Sequence, residues 1–270
     1  MGKPPTAFEG EALAFARMRG NQIVRTGELA SAIRLSPLQE RRLLAALVQK
    51  PLIARVREGL YLFPKKMPVG GIWTPDEATA INALMDDAGA QYQITGLSAF
   101  QRYGYSAQVA LRATLYNDVL SGDRRIGSVG LTLVKVRSER LGDTESYRTP
   151  AGERVIFTSR ARTLVDAVSD WQRFDTLPEA YAWITREITA GRLTAEKLVS
   201  TAVRHGDRRA IRRIGALLQE TGASESVLGR LARATGRPGK PLLLVPTRSP
   251  NGRLAKRWGV VLNVDLIREQ

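Results

Sequence analysis

The chain has 270 residues, of which 43% are hydrophobic and 25% charged, a composition typical of a folded protein. This length gives room for one large domain or roughly two to three ordinary ones. The net charge is +15, and so large a positive excess favours a polyanionic partner. Cysteine is absent and His205 is the one histidine, which excludes disulfides, thiolate chemistry and a Cys/His metal site. We therefore expect no metal and no other cofactor.

The positive charge lies at the two ends of the chain. The net charges are +7, −1 and +9 for residues 1–68, 69–150 and 151–270. Proline and glycine cluster at residues 67–71, which is typical of a domain boundary. The sequence thus predicts a first domain over residues 1–68 and a second over residues 69–270, with a further division near 170–176 left open.

The N-terminal segment contains the elements of a winged helix-turn-helix in chain order. A helix is predicted over residues 9–19, and Thr26 is predicted to cap a second helix over residues 27–33. Ser36, followed by a proline at the first helical position, begins a third helix that extends to residue 49. Two short apolar runs around Arg57-Glu58-Gly59 then predict a hairpin, the wing. This order is typical of modules that place one helix in the DNA major groove.

The third helix is the predicted recognition helix. Leu43, Leu44, Leu47 and Val48 form its apolar face, whereas residues 39–42 and two alanines lie off that face. Arginine can bind guanine and glutamine can bind adenine through two hydrogen bonds, and basic side chains of the wing can bind phosphates. A winged helix that contacts only protein is the alternative. The predicted DNA contacts are Thr26, Ser36, Gln39, Arg41, Arg42, Arg55, Arg57, Lys65 and Lys66.

The rest of the chain has the pattern of an α+β protein. Thr74 is predicted to cap a helix to about residue 85, and Ser159 caps another that runs to 168. A short helix is predicted over residues 96–103. Strands are predicted over residues 109–116, 130–136 and 154–158.

The segment from 177 to 234 is predicted to be helical, with helices that begin at Pro178, Thr194 and Asp207. Two strands are predicted near the end of the chain, over residues 241–246 and 260–264. The predicted fold class is therefore α+β. It has an N-terminal winged helix-turn-helix, a mixed α+β region, and a helical C-terminal region with terminal strands.

A second basic region lies in this C-terminal part. The helix predicted to begin at Asp207 carries four arginines. They form either the polar face of an amphipathic helix or a contact surface for a partner. Two cations beside Trp258 form a weaker aromatic-plus-cation candidate, and His205 is predicted to be a solvated residue near a helix end. The candidate partner surface comprises Arg208, Arg209, Arg212, Arg213, Lys256 and Arg257.

Five segments in chain order resemble the AbiEi-type antitoxins, the regulators of abortive-infection (type IV) toxin–antitoxin operons. The strongest local match is the basic hairpin that closes on glycine, an apolar residue and tyrosine. Each segment is short, but together they cover most of the chain in order. The segments are residues 53–61, 92–99, 159–166, 212–218 and 257–265.

The resemblance implies an antitoxin rather than an enzyme. Such a protein represses its own operon through the N-terminal module, bound to double-stranded operator DNA in which inverted repeats are expected. The C-terminal region would then counter a cognate nucleotidyltransferase-type toxin. We expect a cytoplasmic protein without a membrane partner, because no window of about eighteen apolar residues occurs.

Two other functions stay open. A stand-alone repressor without a toxin has the same sequence features. A DNA nuclease would need an acid two residues before a lysine on a strand to hold Mg²⁺, but the best-placed lysine, Lys135, has Leu133 at that position. A Walker phosphate-binding loop is also absent, because Gly239-Lys240 is followed by proline.

Overall fold

The computed structural model describes residues 7–20, 22–68 and 71–265. Helices and strands are both present, and the fold class is α+β, as predicted. The Cα positions divide the chain into two compact units, which are described separately. Unit 1 contains the described residues up to 92, with 111–136 and 147–155, and unit 2 contains 93–110, 137–146 and the described residues from 156 onward.

The N-terminal part of unit 1 has three helices and a three-stranded antiparallel sheet in the order β1-β3-β2. Strand β1 is missing from the sequence prediction, whereas the three helices and the hairpin agree with it closely. Alanine and leucine side chains of α1, α2 and α3 are buried together with Phe63. The elements are α1 (Ala7–Met18), β1 (Ile23–Arg25), α2 (Glu28–Ala32), α3 (Pro37–Gln49), β2 (Ala54–Arg57) and β3 (Leu60–Leu62).

The start of α3 follows the prediction. The Ser36 hydroxyl accepts a hydrogen bond from the Gln39 backbone N–H, and the Gln39 side chain accepts one from the Ser36 N–H. The pair forms a capping box, which satisfies two backbone donors that the helix itself leaves free.

The start of α2 differs from the prediction. Gly27, in a left-handed conformation with φ 96°, precedes the helix, and Thr26 makes no side-chain cap. The carboxylate of Glu40 on α3 accepts hydrogen bonds from the Gly27 N–H at 2.8 and 2.9 Å and from the Ala30 N–H at 3.0 Å. Glu40 is 1% exposed, so the expectation that it lies on the polar side of α3 is wrong. Its charge is stabilised by the backbone donors at the start of α2.

Helix α4 and the strands around it complete the mixed α+β part of the chain. Asp76, rather than the predicted Thr74, caps α4 through the Thr79 N–H. In unit 1, β5 pairs with β7 in parallel and β6 with β7 antiparallel. The elements are α4 (Glu77–Ala88), β4 (Tyr92–Thr95), α5 (Leu97–Arg102), β5 (Ala113–Asn117), β6 (Gly122–Ile126), β7 (Val129–Lys135), a 3₁₀ turn (Ser138–Arg140), β8 (Thr144–Arg148) and β9 (Arg154–Thr158).

The predicted boundary after residue 68 does not separate the two units. Unit 1 continues through α4, and the Trp73 N–H donates to the Pro51 carbonyl at 2.8 Å. Arg57 of the β2–β3 hairpin forms a bidentate ion pair with Asp87 on α4. The N-terminal elements therefore share one compact unit with residues that the sequence pattern had assigned to the second domain.

Unit 2 is built around one large core of helices. Ser159, Thr194 and Asp207 each accept a hydrogen bond from the first turn of the next helix, as predicted. Near the end of the described chain, β10 and β12 are parallel and β11, which was not predicted, pairs antiparallel with β12. The elements are α6 (Arg160–Ser169), α7 (Trp171–Phe174), α8 (Glu179–Thr189), α9 (Ala195–His205), α10 (Arg208–Glu220), α11 (Glu225–Thr235), β10 (Leu242–Leu243), β11 (Arg253–Ala255) and β12 (Val260–Leu262).

Two of the family-like segments in unit 2 pack against each other. Gly215 on α10 faces the ring of Trp258, so closely that a methyl group at this position would overlap the indole. Trp258 is fully buried, and its Nε1–H donates to Gln219 at 2.9 Å. Glycine is therefore required here by a close approach of helix and indole rather than by a turn.

A third family-like segment contains a buried ion pair. Arg162 and Asp166 on α6 are both 0% exposed, and the Arg162 Nε–H donates to Asp166 at 2.7 Å. Arg162 also donates to the Gly142 carbonyl, and the Thr95 hydroxyl donates to Asp166. These contacts connect α6 to β4 and to the segment before β8, and they explain why this buried helix contains two charged side chains.

Among the described helices, none combines the length and the apolar composition that crossing a bilayer requires.

Replacement of Glu40 by glutamine should destabilise the protein by about 1–3 kcal/mol, because a neutral amide accepts more weakly and its NH₂ group would face backbone donors. The measurement is urea and thermal unfolding of the full chain. The matched control is Glu11→Gln on α1, an exposed acid, which should change stability by less than about 0.5 kcal/mol. Equal stabilities of the two variants would show that the Glu40 contacts do not hold α2 against α3.

Candidate nucleic-acid interface

The exposed side of α3 is the centre of the candidate interface. Arg41, Arg42, Ala45 and Gln49 are exposed, and Leu38 is 56% exposed, at spacings that place them along one side of the helix. Within the part of the chain that the structure describes, neither arginine has a side-chain hydrogen bond or ion pair. Both guanidinium groups are therefore available to an external acceptor.

The other side of α3 fixes the helix in unit 1. Leu44 and Leu47 are fully buried. One turn before Leu44, the Glu40 carboxylate accepts hydrogen bonds from the backbone at the start of α2. Because Glu40 directly precedes Arg41 in the chain, its three hydrogen bonds also restrict how the first turns of α3 can rotate. The arginines are thus presented on a helix whose orientation is set by buried contacts.

Three predicted contacts near the helix start have a different geometry from the one expected. The Gln39 side-chain oxygen and the Ser36 hydroxyl are engaged with each other's backbone in the capping box. Thr26 is exposed, and its backbone N–H donates to the Gly59 carbonyl at 3.0 Å, which ties it to the tip of the hairpin. Gln39 is therefore not free to bind adenine through its carbonyl oxygen in this conformation.

The basic side chains of the hairpin fall into two groups. Arg55 on β2 and Lys66 beyond β3 are exposed, and among the described residues neither has an ion pair. Arg57 is engaged by Asp87, and Lys65 lies 3.3 Å from Glu153. The four predicted phosphate contacts therefore differ in their surroundings, and the Asp87 partner of Arg57 lies on α4, thirty residues away in sequence.

Sequence reasoning missed Arg25 on β1. Its guanidinium lies 2.8 Å from Asp87, and its side chain is 54% exposed. A neighbouring acid, Glu28, accepts from the Arg25 backbone and pairs with Arg19 at 2.9 Å. Arg25 was not among the predicted contacts because β1 itself was not predicted.

Two arginines of the second basic region are buried, although they were predicted to lie on the surface. Arg212 and Arg213 on α10 are 6% and 5% exposed, so they are not part of a partner surface. Arg212 donates to the carbonyls of Trp258 and Gly259, both at 2.6 Å, and of Lys240 at 3.0 Å. The reason is that α10 is buried over nearly its whole length, so these long side chains cross the core and bind backbone carbonyls.

The remaining members of that region are exposed or paired. Arg208 donates to the Arg237 carbonyl at 2.7 Å, whereas Arg209 is exposed. Arg257 forms two hydrogen bonds with Glu225, and Lys256 is exposed. Arg257 lies over the Trp258 ring, 5.4 Å from its centroid, so the predicted aromatic-plus-cation contact is present, but the ring itself is buried.

His205 is buried, contrary to the prediction of a solvated side chain. It lies at the end of α9, and burial lowers its pKa to about 4. The imidazole is therefore neutral at physiological pH and packed in the interior. In the described ranges there is also no group of three or more His, Asp or Glu side chains placed to hold a metal ion.

No family model matches the chain, and no curated protein matches it in sequence. Among solved structures, the crystal structure of the RV2827C protein from Mycobacterium tuberculosis is similar, with a TM-score of 0.58 and 15% sequence identity. The match covers 99% of this chain and 96% of that chain. At this identity the likeness concerns the fold alone, and it extends over both units.

Arg212→Ala should destabilise the protein by about 2–4 kcal/mol, because three backbone carbonyls lose their donor in a buried setting. Arg209→Ala, three residues earlier on the exposed side of α10, should change stability by less than about 0.5 kcal/mol. Thermal unfolding of both variants is the measurement. An Arg212→Ala protein as stable as the wild type would return this residue to the candidate partner surface.

Proposed function

We propose that the chain is a DNA-binding antitoxin of the AbiEi type. In this proposal it represses its own operon through α3 and the β2–β3 hairpin and counters a cognate nucleotidyltransferase-type toxin through its C-terminal region. The observation that carries the DNA-binding part is the pair of unpaired, exposed arginines on α3, a helix anchored from its other side by Glu40.

The exposed side of α3 has the chemistry that base recognition needs. Arg41 and Arg42 can each donate two parallel hydrogen bonds to guanine, and Ala45, one turn further on, can contact a thymine methyl group. Basic side chains that bind phosphates would fix the register of the helix on the duplex. Arg55 and Lys66 are exposed for this role. The combination supports a reader of double-stranded DNA over a module that contacts only protein.

A single module of this size covers only one half-site. Helix-turn-helix regulators reach higher specificity when two copies bind half-sites about one helical turn apart. The proposed operator is therefore an inverted repeat that is occupied by two copies of the chain.

The antitoxin part of the proposal rests on the ordered series of family-like segments. In unit 2 these segments form buried junctions, such as the contact between Gly215 and Trp258. They therefore account for the scaffold of the C-terminal region and leave its exposed surface as the place where a toxin would bind. A stand-alone repressor shares the same DNA-binding surface and differs only in having no toxin partner.

Arg41→Ala and Arg42→Ala should each weaken binding to the DNA upstream of the chain's own gene by about 1–3 kcal/mol if that side chain contacts a base. Binding to a scrambled duplex should change less. Arg55→Ala should weaken binding to both duplexes and reduce the slope of log K against log salt by about 0.9, since one phosphate contact is lost. Fluorescence anisotropy at several salt concentrations measures all three effects.

The matched control for these variants is Arg17→Ala on α1, which removes another exposed arginine outside α3 and the hairpin. It should leave both affinities close to those of the wild type. If Arg41→Ala, Arg42→Ala and Arg55→Ala all bound the upstream DNA as tightly as the control, the proposed interface would be wrong.

The antitoxin part has a separate test in living cells. Expression of a neighbouring nucleotidyltransferase-type gene should arrest growth, and co-expression of this chain should restore it. The Arg41→Ala/Arg42→Ala double variant should still restore growth, because its changes lie on the DNA-binding helix. Absence of such a gene, or failure of the wild type to restore growth, would leave the stand-alone repressor as the function.

A further inference from the structure

Two arginines at the turn end of the three-stranded sheet, both in register with Leu60, share one carboxylate. The Arg25 Nη1 lies 2.8 Å from Asp87 Oδ1, and the Arg57 Nη2–H donates to the same oxygen at 3.0 Å. The Arg57 Nε–H donates to the other carboxylate oxygen, so the Arg57–Asp87 pair is bidentate. A bidentate arginine–carboxylate pair is among the stronger polar contacts in proteins.

The arrangement leaves little of Arg57 free. Its third nitrogen, Nη1, donates to the Glu58 carbonyl at 2.6 Å, so all three guanidinium nitrogens have partners within unit 1. The hydrogen bond from Arg57 holds the pKa of Asp87 below its usual range, which keeps the carboxylate ionised at neutral pH. Arg25, Arg57 and Asp87 therefore carry a combined charge of +1, where the two arginines alone would carry +2.

The Asp87 side chain is largely buried, whereas the Arg25 and Arg57 side chains are exposed. The Asp87 side chain is 8% exposed, whereas those of Arg25 and Arg57 are 54% and 49% exposed. The preceding residue, Asp86, is exposed, and no described residue pairs with it. Asp87 is thus distinguished from its neighbour by its contacts and not by its charge.

We propose that Asp87 is an intramolecular competitor of DNA phosphate, which holds Arg25 and Arg57 against α4 and so lowers the affinity of the hairpin for nucleic acid. A phosphate oxygen and a carboxylate oxygen offer the same acceptor to a guanidinium group. Each arginine that leaves Asp87 and binds a DNA phosphate displaces condensed counterions from the DNA backbone, which favours binding at low salt. The inference rests on the proposed DNA-binding function, and it identifies a residue outside α3 and the hairpin that sets the strength of binding.

The test compares Asp87→Asn with Asp86→Asn, two variants that remove the same charge from adjacent positions of α4. Asp87→Asn should bind both the upstream and the scrambled duplex about threefold to tenfold more tightly at low salt. The slope of log K against log salt should become steeper by about 0.9 to 1.8, which corresponds to one or two added phosphate contacts. Asp86→Asn should change the affinity less and leave the slope as in the wild type.

A double variant connects the effect to the arginine. Adding Arg57→Ala to Asp87→Asn should reduce the gain by about one phosphate contact, because Arg25 is then the one released guanidinium that remains. If Asp87→Asn bound DNA no more tightly than Asp86→Asn, or more weakly than the wild type, competition would be refuted. Weaker binding would show instead that Asp87 positions the arginines for DNA. Circular dichroism and thermal unfolding establish that the variants compared are folded.

A second measurement separates this inference from the proposed function. Elution from immobilised heparin, a sulfated polyanion, reports the availability of cationic side chains without requiring duplex recognition. Asp87→Asn should elute at higher salt than Asp86→Asn. If the wild type and Asp87→Asn both failed to bind duplex DNA while this shift persisted, the DNA-binding function would fall, and Asp87 would compete with the anionic groups of another polyanion. Equal elution of the two variants would refute the competition.

Discussion

The arrangement of α2 and α3 depends on one buried carboxylate. Glu40 accepts three hydrogen bonds from the backbone at the start of α2, and it is almost completely excluded from solvent. A buried carboxylate without partners would be strongly destabilising, so the two helices must stay in the geometry that supplies these donors. Since Arg41 and Arg42 follow directly in the chain, the hydrogen bonds of Glu40 help to fix the orientation of the helix that carries them. The recognition surface proposed here is thus set by a residue that does not belong to it.

Arginine has two opposite roles in this chain, and the net charge does not distinguish them. Arg41 and Arg55 are exposed and unpaired in the described chain, whereas Arg212 and Arg213 are buried and bind carbonyls near the C-terminal strands. Burial lowers the pKa of Arg212, but its three carbonyl partners compensate for the lost hydration. The total of +15 therefore overstates the charge that an external polyanion can meet. Net charge alone predicts a second basic region at the surface, whereas two of its arginines, Arg212 and Arg213, are buried.

The features that sequence reasoning recovered are those with local causes. Ser36, Ser159 and Asp207 cap helices through donors only three residues away, so the pattern contains all the information needed. The features it missed depend on partners outside the element itself. Strand β6 has an exposed, polar sequence and pairs with β7, which follows after a two-residue turn, and α2 is capped from α3 rather than by Thr26. Half-buried polar elements of this kind leave no apolar periodicity to detect.

The same distinction explains why the candidate DNA contacts could be only partly predicted. The exposure of Arg42 follows from the helical periodicity of α3, and it was predictable. The engagement of Arg57 depends on Asp87, which lies beyond the predicted domain boundary, and no local pattern connects the two. Because Arg25 meets the same carboxylate, the electrostatics of the hairpin are a property of unit 1 as a whole. A fragment that ends at residue 68 would keep every predicted DNA contact. It would lack Asp87, however, and would therefore present a different charge to DNA.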